Sequence, residues 1–203
     1  MNQQTNEKLK QIKQSFRPVM NGTASRSMRE KGVLYKINWG VSLPDLQQIA
    51  HSYQQDLDLA IQLWKEDIRE CKILATMLMP PQQMSPDLAD IWIEQTTTQE
   101  LIEIATLNLY QHLSFAQALA FQSIAASDEL RQMTGYLLLG RLFARRQKIG
   151  QRDIHEFLDQ VSIALQSSHG GLRRAALNSV MHFSELGHDY AETARKVLRL
   201  DFL

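Results

Sequence analysis

The chain predicts an all-α protein, an α-α superhelix of stacked helical hairpins (an α-solenoid), on three observations. A phrase in Ala60–Leu78, AIQLWKEDIRECKILATML, reads as a helix ending at Leu63-Trp64 and a second beginning near Asp67. That phrase returns at Leu101-Ile102, Leu130-Arg131 and Leu172-Arg173, so its phase-setting residues Ile68, Leu101, Leu130 and Leu172 are 33, 29 and 42 residues apart. No segment of useful length shows the two-residue alternation of a strand. Paired helices at that period bury their apolar faces against neighbouring pairs and present an extended surface suited to a large ligand.

The elements follow in order. Gly22–Ala24 reads as a loop, and Tyr35–Val41 as an irregular link holding Trp39 and Gly40. Ser42-Leu43-Pro44-Asp45 starts a helix with a serine cap, a first-turn proline and a nearby carboxylate, and Ser85-Pro86-Asp87 repeats the device. Thr97 and Glu100 have capping-box spacing, which places a helix start at Thr97. A long helix around 129–147 is separated from the next by Gly150. His169-Gly170-Gly171 and Gly187 bound the one after that. The expected organisation is one domain over 1–203.

Composition narrows the function classes. Apolar content is 44%, which suits a folded chain, and Cys71 is the only cysteine, which excludes internal disulfides and suggests a reducing, cytoplasmic setting. The amino-terminal stretch is polar and lacks a signal-peptide core, and no apolar run reaches membrane-span length. Net charge is zero but unevenly distributed. Residues 1–36 carry eight basic and two acidic side chains, 37–130 three and thirteen, and 131–203 eleven and seven. Two basic arms flanking an acidic middle could meet a polyanion, or could be solvated helix faces.

Ser25-Arg26-Ser27-Met28-Arg29, then Trp39-Gly40-Val41-Ser42-Leu43-Pro44-Asp45-Leu46, then Ala60-Ile61-Gln62-Leu63-Trp64 with Glu70 and the Cys71–Leu78 helix form an ordered series. This series resembles the DNA alkylation repair enzyme family, over roughly 25–185. The resemblance implies HEAT-like repeats and a concave face for double-stranded DNA. It also implies, in active members, excision of N3- or N7-alkylated purines. That chemistry needs a carboxylate to stabilise developing oxocarbenium charge and aromatic faces beside the cationic base. Aligned on Asn108-Leu109, the family's catalytic Trp and Asp positions fall on Gln99 and Glu103, and a further aromatic falls near Asn178 or Ser179. The frame is kept while the aromatic cradle is replaced; Glu103 is the one catalytic candidate.

Arg69, Arg131 and Arg173 open equivalent helices, where guanidinium groups and helix N-termini suit phosphates, with Lys72 and Arg174 nearby. Arg26, Arg29, Lys31 and Lys36 form an amino-terminal basic set, and Arg145, Arg146 and Lys148 another. His182, Glu185 and His188 have a spacing unlike zinc signatures, and Gly187 interrupts them, so no metal is expected, nor any cofactor. Cys71 lies in an apolar helix pattern without a neighbouring histidine, which argues against a nucleophile. Trp64 and Trp92 read as core, and Trp39 as the tryptophan nearest solvent. Three functions remain in play: a DNA-binding protein, a glycosylase releasing 3-methyladenine or 7-methylguanine, and a scaffold for a protein partner.

Overall fold

The computed structural model describes residues 3–199, so the outermost residues of the expected 1–203 domain lie outside it. All regular structure in that range is helical. One isolated parallel bridge, Ile37 to Ile68, is its only extended pairing. The chain divides into two compact units, 1–85 and 86–203. Among the described residues no helix is long and apolar enough to cross a membrane.

The first unit holds α1 (Gln3–Ser15), α2 (Gly22–Glu30), α3 (Leu43–His51), α4 (Leu57–Lys65) and α5 (Arg69–Leu78). Helices α4 and α5 pack as a hairpin, α3 lies on α5, and α1 lies on α4. Its core is Ile12, Phe16, Leu46, Leu59, Leu63, Ile73 and Leu74, all fully buried. Trp64 is 3% exposed, as expected of a core residue.

The expected loop at Gly22–Ala24 is instead the first turn of α2. The Asn21 side chain caps it, Oδ1 accepting the Ala24 N–H at 3.0 Å. Three small or polar residues have no apolar face, so periodicity could not reveal the turn; the asparagine cap was the available signal. The Ser42 start of α3 holds, with Oγ accepting the Asp45 N–H at 3.3 Å.

The second unit holds α6 (Pro86–Glu94), α7 (Gln99–Asn108), α8 (Ala116–Ile124), α9 (Glu129–Ala144), α10 (Gln151–Ala164), α11 (Gly170–Ser184) and α12 (His188–Leu198). Helix α9 is its spine, packing on α8, α7 and α11. Phe143, Phe157 and Phe183 meet edge-on or tilted with centroids 5.3–5.4 Å apart, tying α9, α10 and α11 together. Gly135 lets α9 approach α8, because a Cβ there would lie 2.6 Å from Ile124 Cγ2 and 2.7 Å from the Ala120 carbonyl oxygen.

Two boundaries move from their expected places. Thr98, not Thr97, caps α7, its side chain accepting the Leu101 N–H at 3.3 Å. The register is decided by burial: Thr98 is 6% exposed while Thr97 faces solvent. Helix α9 stops at Ala144 rather than 147. The Arg146 N–H bonds the Phe143 carbonyl at 2.8 Å and the Gln147 N–H bonds the Leu142 carbonyl at 3.0 Å, a Schellman ending. Arg146, at φ 62°, occupies the left-handed position usually taken by glycine, so no sequence signal marked the stop.

Candidate nucleic-acid interface

In the first unit the link before α3 is fastened to α2 and to the start of α5. The Asn21 N–H bonds the Trp39 carbonyl at 2.9 Å, and Ser25 Oγ donates to the Asn38 carbonyl at 2.7 Å. Gly40 has φ 68°, and a Cβ there would sit 2.1 Å from the Asn21 carbonyl oxygen, so only glycine fits. The Ile37 N–H bonds the Asp67 carbonyl and the Arg69 N–H bonds the Ile37 carbonyl, both at 3.1 Å.

This arrangement corrects two expected phosphate contacts. Arg69 is 2% exposed; its Nη1 donates to the Val41 carbonyl at 3.0 Å and to Glu70 Oε1 at 3.1 Å. The link covers the start of α5, and the Arg69 backbone N–H already bonds within it, so the guanidinium is engaged in fastening the fold. Lys72 is likewise withdrawn. Its Nζ donates to the Trp64 carbonyl at 2.8 Å and lies 4.6 Å from the Trp64 ring centroid, while burial lowers its pKa. It satisfies the end of α4 rather than a phosphate.

Arg26, Arg29, Lys31 and Lys36 are all exposed. The first two ride on α2, whose Ser25 is turned inward; the others lie in the turn and link that follow. They form a cationic cluster displayed by a well-fastened segment.

In the second unit the amino-terminal turns of α7 and α11 and the nearby part of α9 meet. A Cβ on Gly171 would lie 2.8 Å from Gln99 Oε1 and 3.3 Å from Met133 Sδ. His169 caps α11, its Nδ1 accepting the Leu172 N–H at 3.0 Å, and Asp128 caps α9 by accepting the Arg131 N–H at 2.8 Å. The three expected arginines fare differently. Arg131 pairs with Asp90 and lies 3.8 Å from Glu94, its side chain only 15% exposed, so its charge is largely answered within the unit. Arg173 and Arg174 are exposed, Arg173 donating to the Ser167 carbonyl at 2.5 Å.

Glu103 is exposed, its Oε1 accepting the Gln99 Nε2–H at 2.8 Å. The two positions where the family's Trp and Asp are expected are thus joined by one side-chain hydrogen bond. Ser179 is fully buried, its Oγ donating to the Ala176 carbonyl at 2.6 Å, in the seam where α11 meets Gly140 of α9. Only Asn178 of the expected aromatic pair of positions faces solvent.

His182 lies 3.2 Å from Glu185, but His188 begins α12 beyond Gly187 and pairs with Glu192 at 3.6 Å. Among the described residues no three side chains gather to hold a metal ion. Cys71 is buried, and burial pushes its thiol pKa up, away from nucleophile chemistry. The sequence names Glu70 in the ordered series and His169 at a helix boundary, but it does not reveal that these two side chains order the surfaces. Glu70 stood beside an arginine as an ordinary helix acid, and histidine is not among the usual caps.

A family model described as "DNA alkylation repair enzyme" matches residues 12–116, just over half of the 203. No curated protein matches the chain. One solved structure is described as "A new family of proteins related to the HEAT-like repeat DNA glycosylases with affinity for branched DNA structures". It is 20% identical, with a TM-score of 0.78 over 93% of this chain and 81% of that one. The likeness shows the fold, a stack of HEAT-like helical repeats.

Proposed function

Since this chain belongs to the DNA alkylation repair enzyme family, we propose that it binds DNA, with a preference for branched forms, and does not excise alkylated bases. The observation that carries this reading is the exposed cluster Arg26, Arg29, Lys31 and Lys36 on a segment held by backbone and side-chain hydrogen bonds. Such a cluster suits phosphates, which supply affinity without reading sequence. Arg173 and Arg174 at the start of α11 are proposed as a second set of phosphate contacts, in the second unit. The branched-DNA affinity of the structural neighbour, a protein with the same fold, supports the preference.

The absence of excision rests on Gln99 and Glu103. A glutamine cannot stack on a cationic purine, and the Glu103 carboxylate is tied to it on an exposed helix face. The helix-pair rhythm from Ile68 to Leu172 runs through both units, which supports treating 1–203 as one functional domain. Unpaired Cys71 fits a cytoplasmic setting.

Fluorescence anisotropy with a four-way junction and a duplex of equal length, titrated with salt, tests the reading. Tighter binding to the junction and steep salt dependence are expected. Absence of binding at low salt would favour the protein-scaffold alternative. Release of free base from methylated DNA, abolished by Glu103→Gln, would reinstate the glycosylase.

A further inference from the structure

Leu34 is 69% exposed, the most exposed large apolar side chain among the described residues. Its position is held from both sides. Helix α2 ends in a Schellman turn: the Gly32 N–H bonds the Arg29 carbonyl and the Val33 N–H bonds the Met28 carbonyl, both at 3.0 Å, with Gly32 at φ 84°. Two residues beyond Leu34, the Lys36 N–H donates to Asp67 Oδ2 at 3.2 Å, and the Ile37 N–H bonds the Asp67 carbonyl at 3.1 Å. The leucine is therefore displayed on a short, braced turn.

Its surroundings are cationic. Lys31 lies three residues before it and Lys36 two residues after, both exposed, and Arg29 and Arg26 precede them on α2. The exposed carboxylates close in sequence or contact are Glu30 and Asp67, and Asp67 is engaged by the Lys36 backbone. At ~3.3 Å per residue the two lysines lie within roughly 10 Å of the leucine along the chain, so their side chains can meet phosphates close to whatever the leucine touches. An exposed leucine between cations would dock poorly on a membrane-free protein surface of like charge. It fits the apolar face of a base whose phosphates are neutralised alongside.

We infer that Leu34 is a wedge that enters the open base step of branched DNA, while Lys31 and Lys36 hold the flanking phosphates. At the centre of an unstacked junction each arm ends in a base pair that lacks one stacking neighbour, so its face is open without the unstacking that an intact duplex would require. Burying the leucine there removes apolar surface from water and gives the junction an advantage over duplex. The inference rests on the DNA-binding reading and deepens it by naming the structural feature recognised.

The test uses the full chain, a four-way junction carrying 2-aminopurine at the branch point, and an unbranched duplex. Wild type, Leu34→Ala and Leu34→Met are compared, with Ile163→Ala as a control at another highly exposed aliphatic, on α10. Wild type, Leu34→Met and Ile163→Ala are expected to prefer the junction and change the 2-aminopurine fluorescence alike. Leu34→Ala is expected to lose about tenfold in junction affinity with duplex affinity unchanged and no fluorescence change. Junction binding and fluorescence by Leu34→Ala equal to wild type would overturn the wedge and leave DNA binding standing. So would wild-type binding to both DNAs without preference. Failure of wild type to bind either DNA at low salt would remove both readings.

Discussion

Arg69 and Glu70, adjacent in sequence, form a buried ion pair with Nη1 and Oε1 3.1 Å apart at the point where α5 begins. The carboxylate also accepts the Trp39 and Val41 N–H groups, each at 3.2 Å, and the guanidinium reaches the Val41 carbonyl. One acid thus holds the irregular link against the helix. Glu70→Ala would leave a buried guanidinium without its carboxylate and two link N–H groups unsatisfied. Urea denaturation is expected to show a loss of about 3–5 kcal/mol. Removing the more exposed Lys13–Glu66 pair, at 3.1 Å, should cost at most about 1 kcal/mol. Equal losses for the two would refute the assigned role of Glu70.

Gly135 and Gly140 lie on the same helix and should respond oppositely to alanine. At Gly135 the added methyl meets Ile124 Cγ2 at 2.6 Å and the Ala120 carbonyl at 2.7 Å, so Gly135→Ala should destabilise by about 1–3 kcal/mol despite better helix propensity. At Gly140 the nearest atom is Ser179 Cα at 3.5 Å, an ordinary contact, so Gly140→Ala should stabilise by about 0.5–1 kcal/mol. Thermal unfolding followed by circular dichroism reads both signs.

Asp56 caps α4, accepting the Leu59 N–H at 3.1 Å and the Lys8 ammonium at 3.0 Å. Burial pushes its carboxyl pKa up, but the Leu59 N–H and Lys8 outweigh that and leave it below the usual value. A carboxyl lowered by folding stabilises the fold fully above the unfolded value, about pH 4, and loses that contribution as pH falls through the folded value. Asp56→Asn keeps an acceptor for the cap and removes the titration. Its melting temperature should therefore fall less steeply than wild type below about pH 4. Parallel curves would show that Asp56 does not contribute to acid sensitivity.

Arg26→Ala and Arg29→Ala should each weaken DNA binding and reduce the magnitude of the logarithmic salt slope by about 1, as for loss of one phosphate contact. Arg173→Ala and Arg174→Ala should do the same. Lys72→Met should leave the slope unchanged, because its ammonium is bonded to the Trp64 carbonyl. A changed slope for Lys72→Met would mean that this lysine leaves Trp64 to reach DNA.

The residues by themselves determined the helical class, the rhythm set by Ile68, Leu101, Leu130 and Leu172, the capped start at Ser42, and the break between helices at His169-Gly170-Gly171. These follow from local spacing and capping, which need no distant partner. They also placed the basic set Arg26, Arg29, Lys31 and Lys36 at the surface, where the structure has it. Tertiary structure alone decided which cations remain free. Arg69, Arg131 and Arg173 begin their helices alike, yet one is buried against Glu70, one is paired with Asp90, and one is exposed. Direction and burial depend on the link or helix that folds back from elsewhere in the chain, and helical periodicity carries no record of it.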